Sequence, residues 1–297
     1  MNTDGSFIFK GVATALITPF KNGSIDFESL GLLIERQIDN RISALVICGT
    51  TGEASTLSEK EHLNCIEFAL RKADGRIPII AGSGSNCTAK AVKLSSSASK
   101  LGCDALLVVT PYYNKASSEG LIKHYLSIAE AASSPIIIYN VPSRTGMDIP
   151  IDVYSKLADH KNIVGVKEAG GNLHKAMEIK QVCGDHLAIY SGNDDNIFEM
   201  LSIGASGVIS VISNLMPSET VMICEKYFSN ETSAAHEQQI ILGDMIEALS
   251  CEINPIPIKF AMKLIGACNG EMRLPLCPPS IGSQKKITEA IKKYKLI

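Results

Sequence analysis

The sequence predicts an α/β protein: a (β/α)8 TIM barrel over residues 1–230, followed by a small all-helical extension over residues 231–297. Three observations carry that expectation. Eight short β-rich apolar runs recur between segments with helical spacing, which matches such a barrel in count and size. Most of the runs are almost continuously apolar, the habit of parallel strands covered on both faces. After about residue 230 the strand pattern stops and only helical periodicity continues.

In chain order the runs are GVATALI (11–17), SALVIC (43–48), IPIIAG (77–82), DALLVVT (104–110), PIIIYNV (135–141), NIVGVKE (162–168), HLAIYSG (186–192) and GVISV (207–211). The segment DFESLGLLIERQIDN sets Phe27, Leu30, Ile34 and Ile38 on one helical stripe. SEKEHLNCIEFALRKADG opens with Ser58 and Glu61 in capping-box spacing, ahead of Leu63, Ile66 and Leu70. Similar patterns follow the other runs. In the extension, ETSAAHEQQIILGDMIEALS reads as helix, and NPIPIKFAMKLIGACNG places Asn254 as N-cap, Pro255 at the first helical position and Gly266 or Gly270 near the end. A doubly wound sheet is the alternative architecture for the first 230 residues.

Composition narrows the partners. The 297 residues are 45% hydrophobic and 20% charged, ordinary for a globular chain, with a formal net charge of -3. Basic residues are scattered, which argues against nucleic acid and anionic membranes and for small-molecule partners. MNTDGSFIFK lacks the pattern of a secretory leader, and no apolar run approaches the ~18 residues of a membrane span. A cytoplasmic protein is expected. Nine cysteines without a CxxC pair fit reduced, buried thiols better than disulfides or zinc. No metal and no cofactor are assigned: GSGSNC (82–87) has Cys87 where a dinucleotide fingerprint needs its third glycine, the histidines show no HxxxH spacing, and GNDDN (192–196) reads as a loop and helix cap.

Side chains on barrel strands alternate between interior and helix-facing sides, and catalytic groups collect at the strands' C-terminal ends. If Lys167 points inward, so do Gly165 and Ile163, leaving Val164 and Val166 for the helices and room beneath the lysine at the glycine. On the preceding strand Tyr139 and Ile137 point inward by the same rule. An amine and a phenol from adjacent strands are therefore expected side by side. A free lysine titrates near pH 10.4, leaving roughly one in two thousand neutral at pH 7, whereas attack on a carbonyl needs the neutral amine that apolar burial favours. The arrangement suits a Schiff base with a carbonyl substrate. The alternative is a lysine snorkelling to the rim.

Other strand ends add polar groups. GTTGEAS brackets Thr50 and Thr51 with Gly49 and Gly52, suited to holding a small carboxylate. TPYYNKAS puts Tyr112 and Tyr113 on a loop, and YNVPSRTG offers Arg144 for a bidentate contact to a second carboxylate.

In this order and at these intervals, GTTGE, TPYYN, YNVPSRTG, VGVKEA, YSGNDD, GVISV and NPIPIK resemble the dihydrodipicolinate synthase family of pyruvate-dependent class I aldolases, over essentially the whole chain. The resemblance implies that Lys167 forms an imine with pyruvate, whose enamine adds to the aldehyde of L-aspartate 4-semialdehyde. Ring closure then gives 4-hydroxy-tetrahydrodipicolinate, the committed step of lysine and diaminopimelate biosynthesis. It further implies a proton relay of Thr50, Tyr113 and Tyr139, with Tyr139 as acid and base beside the imine. Arg144 grips the semialdehyde carboxylate, Thr51 helps hold pyruvate, and Gly192 and Ile209 line the pocket. Tyr113 serves a neighbouring subunit, so a homo-oligomer, dimer or tetramer, is implied. One departure stands out: lysine-inhibited members carry a carboxylate where this chain has Lys90 and often a histidine where it has Glu59, although Asn86, His62 and Tyr112 match. Weak or absent inhibition by lysine is expected. Two alternatives stay open, a sibling aldolase such as N-acetylneuraminate lyase or a 2-keto-3-deoxy sugar acid aldolase, and a non-catalytic 2-oxo acid sensor on the same barrel.

Overall fold

The barrel strands sort their side chains into two apolar layers, in a computed structural model that describes residues 8–297. The reading of the extreme N-terminus as leaderless falls largely on residues 1–7, outside that range. In chain order, β1 (Gly11–Ala15) precedes an antiparallel hairpin of β2 (Phe20–Lys21) and β3 (Ser24–Ile25), which the apolar pattern does not announce. Then come β4 (Ala44–Ile47), β5 (Ile79–Gly82), β6 (Ala105–Val109), β7 (Ile136–Asn140), β8 (Ile163–Glu168), β9 (Ala188–Ser191) and β10 (Gly207–Ser210). Apart from the hairpin, these strands are parallel and close in sequential order, with β10 pairing back to β1. The expected (β/α)8 barrel is the observed fold.

Helices α1 (Phe27–Asp39), α2 (Glu59–Ala73), α3 (Thr88–Leu101), α4 (Ser118–Ala131), α5 (Pro142–Thr145), α6 (Ile151–Leu157), α7 (Leu173–Cys183), α8 (Ile197–Ser202) and α9 (Pro217–Phe228) connect and follow the strands. α10 (Thr232–Leu249), α11 (Ile256–Leu264) and α12 (Ile281–Lys293) form the extension. The capping box at α2 is complete, Glu61 N donating to Ser58 Oγ at 3.3 Å and Ser58 N to the Glu61 carboxylate at 2.9 Å. Among the described residues, no helix is long and apolar enough to cross a membrane.

Inside the barrel lie small residues, Ala13, Ala15, Ala44, Ala105 and Ala188, with a few large ones: Ile137, Tyr139, Tyr190 and Ile209. Tyr190 fills the space the alanines leave, and Phe9 stacks on it at 4.2 Å between centroids. Outside, Val12, Leu45, Leu106, Val108, Ile136, Ile138 and Val166 pack against the helices. That alternation is the period of two at work.

Two local expectations need correction. Ile163 belongs to the outer layer, not the interior. The β7–β8 register moves from Ile136↔Ile163 to Ile137↔Gly165, so Val164 is an extra residue on β8, a bulge that resets the parity before Gly165 and Lys167. The room at Gly165 is taken by Tyr190, whose ring a Cβ there would meet at 3.3 Å. The second correction concerns α11: Pro255, not Asn254, is its N-cap, because the Lys259 amide bonds to the Pro255 carbonyl at 3.0 Å. The Asn254–Pro255 peptide is cis, and the Asn254 side chain turns to the barrel mouth.

Buried histidines make the fold acid-sensitive: His62 and His124 are both buried, and burial lowers the pKa of each. On α4, His124 Nδ1 lies 2.9 Å from Thr88 Oγ1, and its Nε2 has no hydrogen-bond partner among the described residues. Burial pushes its pKa from 6.5 down to about 4. Because the folded value lies below the unfolded one, the unfolded chain binds the extra proton between them, so the contribution of His124 to stability falls as pH drops through that window and is level above it. At roughly 1.4 kcal/mol for each pH unit, the loss by pH 4 is about 3 kcal/mol. The carboxylate of Glu61, held down to about 2 chiefly by its hydrogen bond from Arg273, adds its own loss only lower, as pH falls from 4.5 towards 2. Urea unfolding between pH 7 and pH 4.5 is expected to show the decline, and His124→Gln to make it shallower. An unchanged slope in the variant would assign the effect elsewhere.

Candidate active site

At the C-terminal mouth of the barrel is a cavity of about 440 Å3 whose wall includes Thr50, Thr51, Tyr139, Arg144, Lys167 and Gly192. Lys167 comes from β8 and Tyr139 from β7, opposite one another in the register. The Lys167 side chain is nearly enclosed, with the residue 5% exposed, and its Nζ stands 4.5 Å from the centroid of the Tyr139 ring. The other two buried lysines, Lys175 and Lys259, each hold a carboxylate, from Asp148 and Glu53. Lys167 faces a phenol and the cavity instead. An enclosed amine that opens onto a cavity is placed to attack a carbonyl bound there.

Its sequence neighbour Glu168 does separate work. That carboxylate is buried and accepts from Asn140 Nδ2 at 2.9 Å and Gly170 N at 2.7 Å, tying β8 to the end of β7. Burial raises its pKa, and the Asn140 and Gly170 bonds oppose that.

The Thr50–Thr51 turn follows β4 and is closed by Gly52 N and Ala54 N donating to Gly49 O at 3.1 and 3.3 Å. Gly52 is tightly packed: a Cβ would meet Leu16 O and Thr18 Oγ1 at 3.1 Å. Thr51 is 2% exposed, and its hydroxyl accepts from Asn254 Nδ2 at 3.0 Å. Arg144 sits on α5, begun by Pro142, and its Nη2 donates to the Asn254 carbonyl at 2.8 Å. Gly192, after β9, is pressed so close to Ala169 that an added Cβ would lie 2.4 Å from its Cβ. Ile209 is fully buried in the interior layer and is not part of the cavity wall.

Tyr113 is the residue this chain does not bring to Lys167. It is 93% exposed, with φ +73°, a left-handed backbone that an aromatic residue seldom adopts. Tyr112, Thr50, Tyr139 and Arg144 border a second hollow of about 820 Å3, whose wall also carries Glu59, His62, Lys90 and Lys93.

Two further wall residues were not anticipated as part of the site. The sequence places Asp194 in a local loop and helix cap; its Oδ2 accepts from Val211 N and Ile212 N at 3.0 and 2.8 Å, so it caps the turn after β10 rather than its own helix. Among the described residues its buried Oδ1 has no hydrogen-bond partner, and burial raises its pKa. Asn254 bridges Thr51 and Arg144 from the extension, as described. Its one sequence signal was the Pro255 that follows, which pointed to a helix start.

Fold and site together define a (β/α)8 barrel with an enclosed lysine as the centre of its C-terminal mouth. The chain belongs to the dihydrodipicolinate synthetase family, whose model matches residues 8–294. It is 46% identical over 290 residues to 4-hydroxy-tetrahydrodipicolinate synthase of Geobacter sulfurreducens, covering 98% of this chain and 100% of that one. Among solved structures, dihydrodipicolinate synthase from Thermotoga maritima superposes with a TM-score of 0.96 at 41% identity, covering 98% of this chain and 100% of that one. The chloride-inhibited enzyme from Acinetobacter baumannii complexed with pyruvate gives 0.95 at 40% identity, covering 97% and 99%.

Proposed function

We propose that the protein condenses pyruvate with L-aspartate 4-semialdehyde to give 4-hydroxy-tetrahydrodipicolinate. The observation that carries this reading is the Lys167 amine, enclosed at 5% exposure and set 4.5 Å from the Tyr139 ring. Its Nζ attacks the ketone carbon of pyruvate, and loss of water leaves an imine. Removal of a methyl proton gives the enamine, whose carbon bonds to the aldehyde carbon of the semialdehyde while the aldehyde oxygen takes a proton. The substrate's own amine then adds to the imine carbon and expels Lys167, closing the ring. Each step moves protons at neutral pH, for which a phenol and a hydroxyl, Tyr139 and Thr50, lie on one cavity wall.

Thr51 holds the pyruvate carboxylate and Arg144 that of the semialdehyde, with Gly192 letting its strand end pack closely on Ala169 at the pocket wall and Ile209 in the interior layer. The exposure of Tyr113 fits its serving a second copy of the chain, so the active form is a homo-oligomer, dimer or tetramer. The barrel over residues 1–230 carries the chemistry and the extension over 231–297 closes one side. Purified protein with both substrates is expected to form product in a dihydrodipicolinate reductase-coupled assay and to leave N-acetylneuraminate untouched. The opposite pattern would favour a sibling aldolase.

Feedback by lysine is expected to be weak. In the second hollow Glu59 is already neutralised by Lys93 at 2.7 Å, so the Lys90 ammonium is left to repel a ligand bearing two amines. Initial rates at millimolar lysine check this, and half-inhibition there would refute it.

A further inference from the structure

Three residues beyond Thr50, Glu53 forms an ion pair with Lys259 in which neither side chain retains any exposed surface. Among the described residues it is the most deeply buried pair. Glu53 itself takes a left-handed backbone, φ +54° and ψ +36°, which non-glycine residues seldom adopt. The Lys259 ammonium, reaching in from α11, also donates to the Thr18 carbonyl at 2.9 Å and lies 4.3 Å from the Phe20 ring centroid. Thr18 in turn donates from Oγ1 to the Gly52 carbonyl at 2.7 Å. The second Glu53 oxygen accepts from Arg273 N at 3.2 Å. One ammonium from the extension therefore grips the Thr50–Thr51 turn directly, through Glu53, and indirectly, through Thr18 and Gly52.

Stability alone is a poor account of such a pair. Stripping water from two charges offsets most of their attraction, and replacing both by apolar side chains is often neutral or stabilising. Burial pushes the Lys259 pKa down, while the Glu53 carboxylate facing it works against that. What an ammonium with three fixed neighbours supplies is geometry, and the geometry it fixes is that of the two threonines on the cavity wall.

We propose that Glu53 and Lys259 are positioning residues for the reaction, through which the helical extension holds the Thr50 and Thr51 hydroxyls in register with Lys167. The inference rests on the roles given to Thr50 and Thr51 above. A loosened turn weakens the hold on the pyruvate carboxylate and lengthens the proton path at once, so KM for pyruvate rises and kcat falls together.

The test is the double variant Glu53→Leu with Lys259→Met, with rates normalised to the sites that trap pyruvate under borohydride so that lost folded protein does not count. It is expected to keep a thermal midpoint close to that of the unaltered protein and to trap pyruvate, while kcat/KM for pyruvate falls at least tenfold, since small misplacements of reacting groups cost up to about 100-fold. A smaller fall overturns the proposal and leaves the pair a structural one. Should the double variant not fold, Glu53→Gln is measured in its place: it keeps an acceptor for Lys259 but removes the charge. A fall of at least fivefold in the same quantity is then expected, and a smaller one overturns the proposal. If the unaltered protein traps no pyruvate on Lys167, the reading of the site fails first and takes this inference with it.

Discussion

Lys167→Ala is expected to lower turnover by about 10,000-fold or more, the scale on which enzymes lose rate when a covalent nucleophile is removed. Among the described residues no other lysine lines this cavity, so no neighbouring side chain on its wall takes over imine formation. The fold is expected to survive. Truncation empties the space of a buried side chain, but it also removes a polar group whose enclosure costs desolvation. Coupled initial rates and a thermal melt on the same preparation check both halves. Turnover within tenfold of the unaltered protein would show that the chemistry does not pass through this lysine.

Arg144→Ala is expected to separate the two substrates: pyruvate is still captured on Lys167, while turnover of the semialdehyde falls about 100-fold, the equivalent of one charge-assisted, bidentate contact worth roughly 2 to 3 kcal/mol. A guanidinium has five N–H donors in a fixed fork. One nitrogen, Nη2, is engaged by the Asn254 carbonyl at 2.8 Å, and the side chain borders the cavity. That bond orients the fork towards a ligand without using it up. Arg144→Lys keeps the charge but not the fork, so only part of the rate returns. The check is KM for the semialdehyde beside borohydride trapping of pyruvate in each variant. Normal processing of the semialdehyde by Arg144→Ala would remove the specificity argument.

The parts of the fold visible in the sequence were those set by short-range periodicity. Eight apolar runs, the Ser58–Glu61 capping box and the adjacency of Tyr139 and Lys167 all follow from a period of two or of 3.6 residues acting within one element or between neighbours. Val164 shows the limit of that logic. A single bulge residue resets strand parity, and nothing in an apolar run such as NIVGV distinguishes the residue that slips. The β2–β3 hairpin is too short to carry a pattern.

In the site, what stayed hidden is what the extension contributes. Asn254 reaches Thr51 across 203 residues of chain, and Lys259 reaches Glu53 across 206. Contacts of that separation leave no local signature, so Asn254 read as a helix cap and Lys259 as one more helix residue. Asp194 is a milder case: the capping tendency of Asp was legible, but not which turn it caps. Tyr113 could be placed by resemblance only, since in one chain it points into solvent.

The central claim is a covalent one, and the most direct measurement is of the covalent bond. The purified protein is incubated with pyruvate, reduced with borohydride, digested and mapped by mass spectrometry. The account predicts a single reduced adduct on the peptide containing Lys167, absent without pyruvate and absent in Lys167→Ala. An adduct on a different lysine, or intact catalysis with no adduct at all, would contradict it.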